Sequence, residues 1–182
     1  MKIWKDGIDK LGVNILKIVT ISLSEGVFPN IWKLMKIIPN YKNKGKRTDK
    51  SSFRPVCLLS NVSKILEKLL TLQMVKYFES NGLFHPHQFA YRKDRSTVEA
   101  MLLLHELWMD AIDKREQSIM MSIDLSSAFD SVNHSLLLRK LQIYGFDTNS
   151  IKWMESYLNF RSQYVEICDA MSGFVWMKHG VP

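Results

Sequence analysis

Apolar residues recur at helical spacing through residues 8–24 (IDKLGVNILKIVTISLS), and Gly26 followed by Phe28-Pro29 marks the stop. Two short apolar runs, 32–38 and 53–59, flank a polar loop and predict a pair of strands. LSNVSKILEKLLTLQMVKYFES places Leu66, Leu69, Leu70 and Val75 on one face, which predicts a helix capped at Ser60 or Asn61 and ended by Asn81-Gly82. HPHQFAYRKDR is a loop, and helix resumes where Ser96, with Glu99 three positions on, forms a capping-box pattern. SIMMSIDLSSAFDSVNH then reads as an apolar strand ending in Asp124, a turn, and a helix from about His134 to Tyr144 stopped by Gly145. An amphipathic helix over 150–160 precedes two strands, SQYVEIC and FVWMK, joined through Asp169 to Gly173. Helices and strands are mixed without βα regularity, so the predicted fold class is α+β.

Charge changes this picture at one place. From Lys33 to Arg54 there are eight basic residues against one acid, Asp49, and this local excess accounts for the whole formal net charge of +7. Arg54 sits between apolar residues in SFRPVCLL, and IIP interrupts the lysines, so the pattern predicts a basic hairpin with its charges on ordered strands. Such a patch suits phosphate or nucleic acid.

Composition narrows the class. With 46% apolar and 24% charged residues over 182 positions, the chain can build a core and is not disordered by composition. No apolar stretch approaches the ~18–20 residues that cross a bilayer, and the lysine-punctuated N-terminus lacks the apolar stretch of a signal peptide. The expectation is a soluble, intracellular protein with no membrane role. Cys57 and Cys168 have no metal-ligand spacing and read as reduced, half-buried thiols. Trp153, Tyr157 and Trp176 fall at spacings that predict core positions, His134 reads as a helix cap, and His85 and His87 flank a proline without metal geometry.

Asp124 and Asp130, six positions apart around Phe129, are the candidate chemistry. A strand end holds a carboxylate rigidly and the following turn offers a backbone carbonyl. Magnesium takes few carboxylates and fills its remaining positions with phosphate and water oxygens, so the arrangement suits a metal bound together with a triphosphate.

These residues also carry a resemblance. SIDLSSAFDSVNHSLLLRKL resembles the first catalytic palm motif, motif A, of reverse transcriptases of non-LTR retrotransposons. GVFPNIWKLMKIIPNYKNKGK, FRPVCLLSNVSKILEKLL and QFAYRKDRSTVEAMLLL resemble the fingers and the next block of that family, while SYLNFRSQYVEI and the terminal HGVP resemble the approach to motif B. The matches run in family order over nearly the whole chain.

The resemblance implies a right-hand polymerase fold, with residues 1–30 a helical N-terminal extension, 31–115 the fingers and 116–182 a partial palm that stops before the catalytic YADD hairpin. It implies that Asp124 is the catalytic metal ligand and that the Leu125 carbonyl completes the coordination of magnesium, or manganese in its place. Arg54, Lys36 and Lys42 would reach the dNTP triphosphate, with Phe129 as the steric gate against a ribose 2′-OH. Gln88, Phe89, Arg92, Arg95 and Ser96 would support the fingers and contact the template backbone. Ala90 and Asp94 depart from the family pattern, which usually has glycines there. Asp130 reads as structural, serving the turn.

The implied partners are an RNA template, a DNA primer and dNTP, and the implied compartments are nucleus and cytoplasm. No F/YxDD occurs in the 182 residues, so the further carboxylates of two-metal nucleotidyl transfer are not among them, and this chain alone is expected to be inactive. The alternative reading is a non-catalytic nucleic-acid-binding remnant of a decayed mobile element, using the basic patch.

Overall fold

A computed structural model describes residues 2–182, with side chains described from residue 11 onward. In order, the elements are α1 (Lys2–Glu25), β1 (Leu34–Tyr41), β2 (Phe53–Leu58), α2 (Asn61–Ser80), α3 (Thr97–Asp113), α4 (His134–Ile143), α5 (Thr148–Leu158), β3 (Ser162–Ile167), β4 (Ala170–Met171) and β5 (Val175–Trp176). Single 3-10 turns, Asn30–Trp32 and Lys50–Ser52, precede β1 and β2. The mixed α and β content expected from the sequence is present. The chain packs as two compact units, one made of residues 1–68 and 127–182, the other of residues 69–126.

The first unit is built on a sheet ordered β2-β1-β3-β4, with β5 also paired to β3. β1 and β2 are antiparallel, whereas β1 and β3 run parallel with Leu34 opposite Ser162 and Ile37 opposite Val165. Pro39 faces Pro55, so neither residue can donate across the ladder there, and the bonds on either side carry the pairing. The core of this unit gathers Phe28, Met35, Leu66, Trp153 and Leu158, all buried. The Phe28 ring meets Trp32, Trp153 and Tyr157 edge-on at centroid distances of 5.9, 5.6 and 5.0 Å, and Trp153 stacks on Tyr157 at 5.4 Å.

Helix α1 ends against α5. Val27 N–H donates to Ser22 O at 3.0 Å and Gly26 N–H to Leu23 O at 3.4 Å, the paired bonds of a Schellman stop, with Gly26 at φ +65°. Side chains of α5 then take the last carbonyls of α1: Asn149 Nδ2 donates to Leu23 O at 2.7 Å and Lys152 Nζ to Glu25 O at 2.8 Å. A Cβ on Gly26 would lie 2.6 Å from Asn149 Oδ1, so the close approach needs glycine. Trp153 Nε1 donates to Ser22 Oγ at 2.9 Å, closing the same contact inside.

The second unit holds the loop after α2 and helix α3. Leu83 N–H donates to Phe78 O at 2.9 Å beside Gly82, ending α2 where the sequence places the stop. Ser96 caps α3 with both bonds of the capping box: Glu99 N–H to Ser96 Oγ at 3.2 Å and Ser96 N–H to Glu99 Oε2 at 2.9 Å.

Three expectations are corrected. Residues 118–124, read as a strand ending in Asp124, form neither helix nor strand, and Ile119 is 95% exposed. Strand propensity yields a strand only where a neighbouring strand completes the ladder, and none among the described residues does so here. Trp176 is 65% exposed and not core, because β5 lies on the outer edge of β3. Cys168 is exposed, whereas Cys57 on β2 is half-buried as expected.

Candidate functional site

The basic hairpin is ordered, and its own chemistry explains why. Tyr41, at the end of β1, donates its hydroxyl to Gly45 O at 2.6 Å, packs its ring 5.5 Å from that of Phe53, and carries the Arg47 guanidinium 5.0 Å from its centroid. Asp49 caps the turn before β2, accepting from Ser51 N at 2.9 Å and Ser51 Oγ at 2.7 Å. These hydrogen bonds hold the Asp49 carboxyl below the usual carboxylate range. The cations therefore project from a folded loop.

The three candidate phosphate-binding cations differ in availability. Arg54 lies on β2 opposite Asn40, is exposed, and forms no ion pair among the described residues. Lys36, on β1, is paired with Glu166 of β3. Lys42 donates its Nζ to Ser51 O at 2.7 Å and its N–H to Ser52 O at 2.8 Å. Arg54 is thus the cation most open to a ligand, and Glu166 is a partner that reading the chain missed. A parallel strand brings it beside Lys36 from 130 residues away.

In the second unit Arg92 is committed to the fold. Its Nε and Nη2 reach the two carboxylate oxygens of Glu79 at 2.9 and 2.7 Å, Nη1 donates to His85 O at 3.2 Å, and the guanidinium lies 4.9 Å from the Phe84 centroid. Hydrogen bonding to Arg92 lowers the Glu79 pKa, and the same bond raises that of Arg92. Ser96 is spent as the α3 cap. Gln88 and Arg95 are exposed and Phe89 is half-buried, with the Arg95 guanidinium 5.8 Å from the Phe89 centroid. Asp94 has φ +56°, a left-handed backbone, which accounts for a glycine being the usual residue at that position in the resembled pattern.

Asp124 and Leu125 are exposed in the irregular stretch 116–125. Among the described residues no group of three His, Cys, Asp or Glu side chains gathers to hold a metal. Asp124 and the Leu125 carbonyl are hard oxygen donors of the kind magnesium takes, and by themselves they would supply only part of an octahedral shell.

The turn after Asp124 belongs to the first unit from residue 127 onward. Ser131 N–H donates to Ser127 O at 3.1 Å, and Asn133 caps α4 by accepting from Leu136 N at 3.0 Å. His134, expected to cap, instead places Nε2 2.7 Å from Gly180 O, because Asn133 already holds the cap position. The terminal HGVP lies against this turn: Gly180 N–H donates to Val132 O at 2.8 Å and Val181 N–H to Phe129 O at 3.0 Å. Phe129 is 59% exposed as a residue, and the backbone of Asp130 abuts Gly180. A cleft of about 310 Å³ opens alongside, lined in part by His134, Ser135, Glu155, Lys178 and His179.

Arg161, between α5 and β3, was not singled out by the sequence and is 1% exposed. Its guanidinium lies 4.7 Å from the Tyr157 centroid and 5.3 Å from that of Phe28, Nη1 donates to Tyr157 O at 3.0 Å, and Nε and Nη2 have no hydrogen-bond partner among the described residues. Burial lowers its pKa. The signal available beforehand was a lone arginine beside Phe160, right after a helix.

Comparison with known proteins shows residues 41–181 matching the family model described as reverse transcriptase (RNA-dependent DNA polymerase). The chain is 31% identical over 155 residues to a probable RNA-directed DNA polymerase from transposon BS of Drosophila melanogaster, covering 85% of this chain and 17% of that protein. It is 28% identical over 160 residues to the RNA-directed DNA polymerase from mobile element jockey of the same organism, covering 88% and 17%. A Pol polyprotein from type-1 retrotransposable element R2 of Popillia japonica is 28% identical over 143 residues, covering 78% and 19%. The chain thus spans less than a fifth of the length of these relatives.

Proposed function

The chain belongs to the reverse transcriptase family, in its non-LTR retrotransposon branch, and from that membership we propose that it forms the fingers and first part of the palm of an RNA-directed DNA polymerase. The observation that carries the reading is the match over residues 41–181, which takes in Arg54, Asp124 and Phe129 together. In this reading the fold is the right-hand polymerase fold, divided near residues 30 and 115, and the remaining catalytic carboxylates are supplied by a YADD-like hairpin outside these 182 residues.

Arg54, with Lys36 and Lys42 nearby on the hairpin, binds the triphosphate of a dNTP by charge-assisted hydrogen bonds. Asp124 and the Leu125 carbonyl would hold magnesium, or manganese, which when bound neutralises phosphate charge. The exposed Phe129 ring occupies the space of a ribose 2′-OH and so selects deoxynucleotides by a clash. Gln88, Phe89 and Arg95 line the track of the RNA template, with Arg92 and Ser96 shaping the loop that carries them. Nucleus and cytoplasm are the compartments where such a protein meets its RNA and DNA. Among the described residues no helix is long and apolar enough to cross a membrane.

Primer extension tests this. The polypeptide carrying these residues together with an F/YxDD palm should extend a DNA primer on RNA, and Asp124→Ala should abolish extension. The 182 residues alone should not extend it. Extension that survives Asp124→Ala would sink the assignment, and a full polypeptide that binds RNA yet never extends would favour the binding-only remnant, whose support is the ordered basic loop.

A further inference from the structure

Residues 81–96 join α2 to α3 with no helix or strand of their own, and they carry Gln88, Phe89 and Arg95. A loop of that length keeps one shape where side chains close it. Here one guanidinium gathers the chain. Arg92 Nη1 donates to His85 O at 3.2 Å and to Gln88 O at 3.4 Å, and Gln88 N–H donates to the same His85 carbonyl at 3.0 Å. The guanidinium also lies 4.9 Å from the Phe84 centroid. Tyr91 at φ +60° and Asp94 at φ +56° are left-handed on either side of Arg92, a conformation that side-chain-bearing residues keep only where other contacts hold them in it.

Arg92 is in turn fixed by Glu79, in the last turn of α2. Its Nε and Nη2 reach Oε1 and Oε2 of the carboxylate at 2.9 and 2.7 Å, so two parallel bonds set the plane of the guanidinium. The Arg92 side chain is 11% exposed and that of Glu79 39%, whereas the neighbouring Lys93–Asp94 pair is 3.9 Å apart on two almost fully exposed side chains and is an ordinary surface contact of little worth. Phe78, the residue before Glu79, brings its ring 5.2 Å from that of Phe84, so the end of α2 grips the loop through a ring as well as an ion pair.

We propose that Glu79 is a positioning residue for the RNA template: by holding the Nε and Nη2 edge of Arg92 it fixes the loop that Nη1 closes, and so presents Gln88, Phe89 and Arg95 in one arrangement before RNA arrives. This rests on the reading of those three residues as template contacts. Glu79 is an acid, and its charge by itself repels phosphate, so any favourable effect on RNA binding runs through Arg92 and the loop.

That opposition of signs makes the test sharp. In the 182-residue chain, amide hydrogen exchange should accelerate in peptides covering 83–92 in Glu79→Ala, while α3 peptides keep their protection and report an intact fold. Affinity for an oligouridylate, measured by filter binding at one fixed salt concentration, should fall on the order of tenfold in Glu79→Ala, because the loop must then be ordered during binding. Removal of an acid from an RNA-binding surface with no positioning role would raise the affinity instead. Glu79→Gln is equally uncharged but keeps an oxygen for Arg92, and should lose less than Glu79→Ala. Unchanged exchange in Glu79→Ala overturns the latch. Accelerated exchange with an affinity that stays or rises overturns the positioning role alone. An affinity unmoved when Gln88→Ala and Arg95→Ala are combined overturns the template reading on which the proposal stands.

Discussion

Arg161 holds Tyr157 twice: its guanidinium lies 4.7 Å from the tyrosine ring centroid, and its Nη1 donates to that residue's carbonyl at 3.0 Å. The same group faces Phe28 at 5.3 Å and leaves Nε and Nη2 without a hydrogen-bond partner among the described residues. Packing and stacking therefore favour the arginine, while two desolvated N–H groups oppose it. Arg161→Ala removes the first and opens a cavity, and should cost about 3 kcal/mol. Arg161→Met keeps most of the volume and deletes the unbonded donors, so it should cost far less. Chemical denaturation of the two variants checks the ranking. Equal losses would mean that charge, not volume, is what the site needs.

The same cluster sets the response to alkali. Burial pushes the Cys57 thiol up, and burial followed by the nearby Glu67 carboxylate pushes the Tyr157 hydroxyl up. Both groups hold their protons more tightly folded than unfolded. Their contribution is complete below the ordinary values and is lost as pH rises, so stability should decline from about pH 9 upward. Denaturation midpoints measured from neutral pH into the alkaline range test this, and Tyr157→Phe should flatten the upper part of the decline.

Helix α3 ends in the same Schellman bonds as α1, with Glu116 N–H to Ala111 O at 2.8 Å and Arg115 N–H to Ile112 O at 3.0 Å, yet Arg115 occupies the left-handed position at φ +57°. Glycine takes that conformation without the Cβ penalty. Arg115→Gly should raise stability by about 0.5–1 kcal/mol after the entropy of the added glycine is subtracted. Thermal unfolding would show a higher midpoint, and a lower one would mean that the arginine side chain has a role of its own.

The loop lysines Lys42, Lys44, Lys46 and Lys50 project from an ordered hairpin, so each phosphate they neutralise should release counterions from bound RNA. Replacing all four by serine should weaken binding to single-stranded RNA and make the slope of log K against log salt shallower by roughly 0.7 for each phosphate no longer neutralised. Filter binding at several salt concentrations tests it. An unchanged slope would place the RNA elsewhere.

Local rules were enough for much of the fold. Gly26, Gly82 and Gly145 mark helix stops because only a left-handed residue closes those bonds cheaply, and Ser96 with Glu99 announces α3 because a capping box is complete within four residues. The α+β class and the resemblance that led to Arg54, Asp124 and Phe129 were equally legible along the chain. What the tertiary structure decided are relationships between distant residues. Lys36 meets Glu166 only because β1 and β3 run parallel, and His134 turns from a cap into a tie only because Gly180 returns to it. Residues 118–124 have the local marks of a strand and form none, since a strand, unlike a helix, finds its hydrogen-bond partners in another segment.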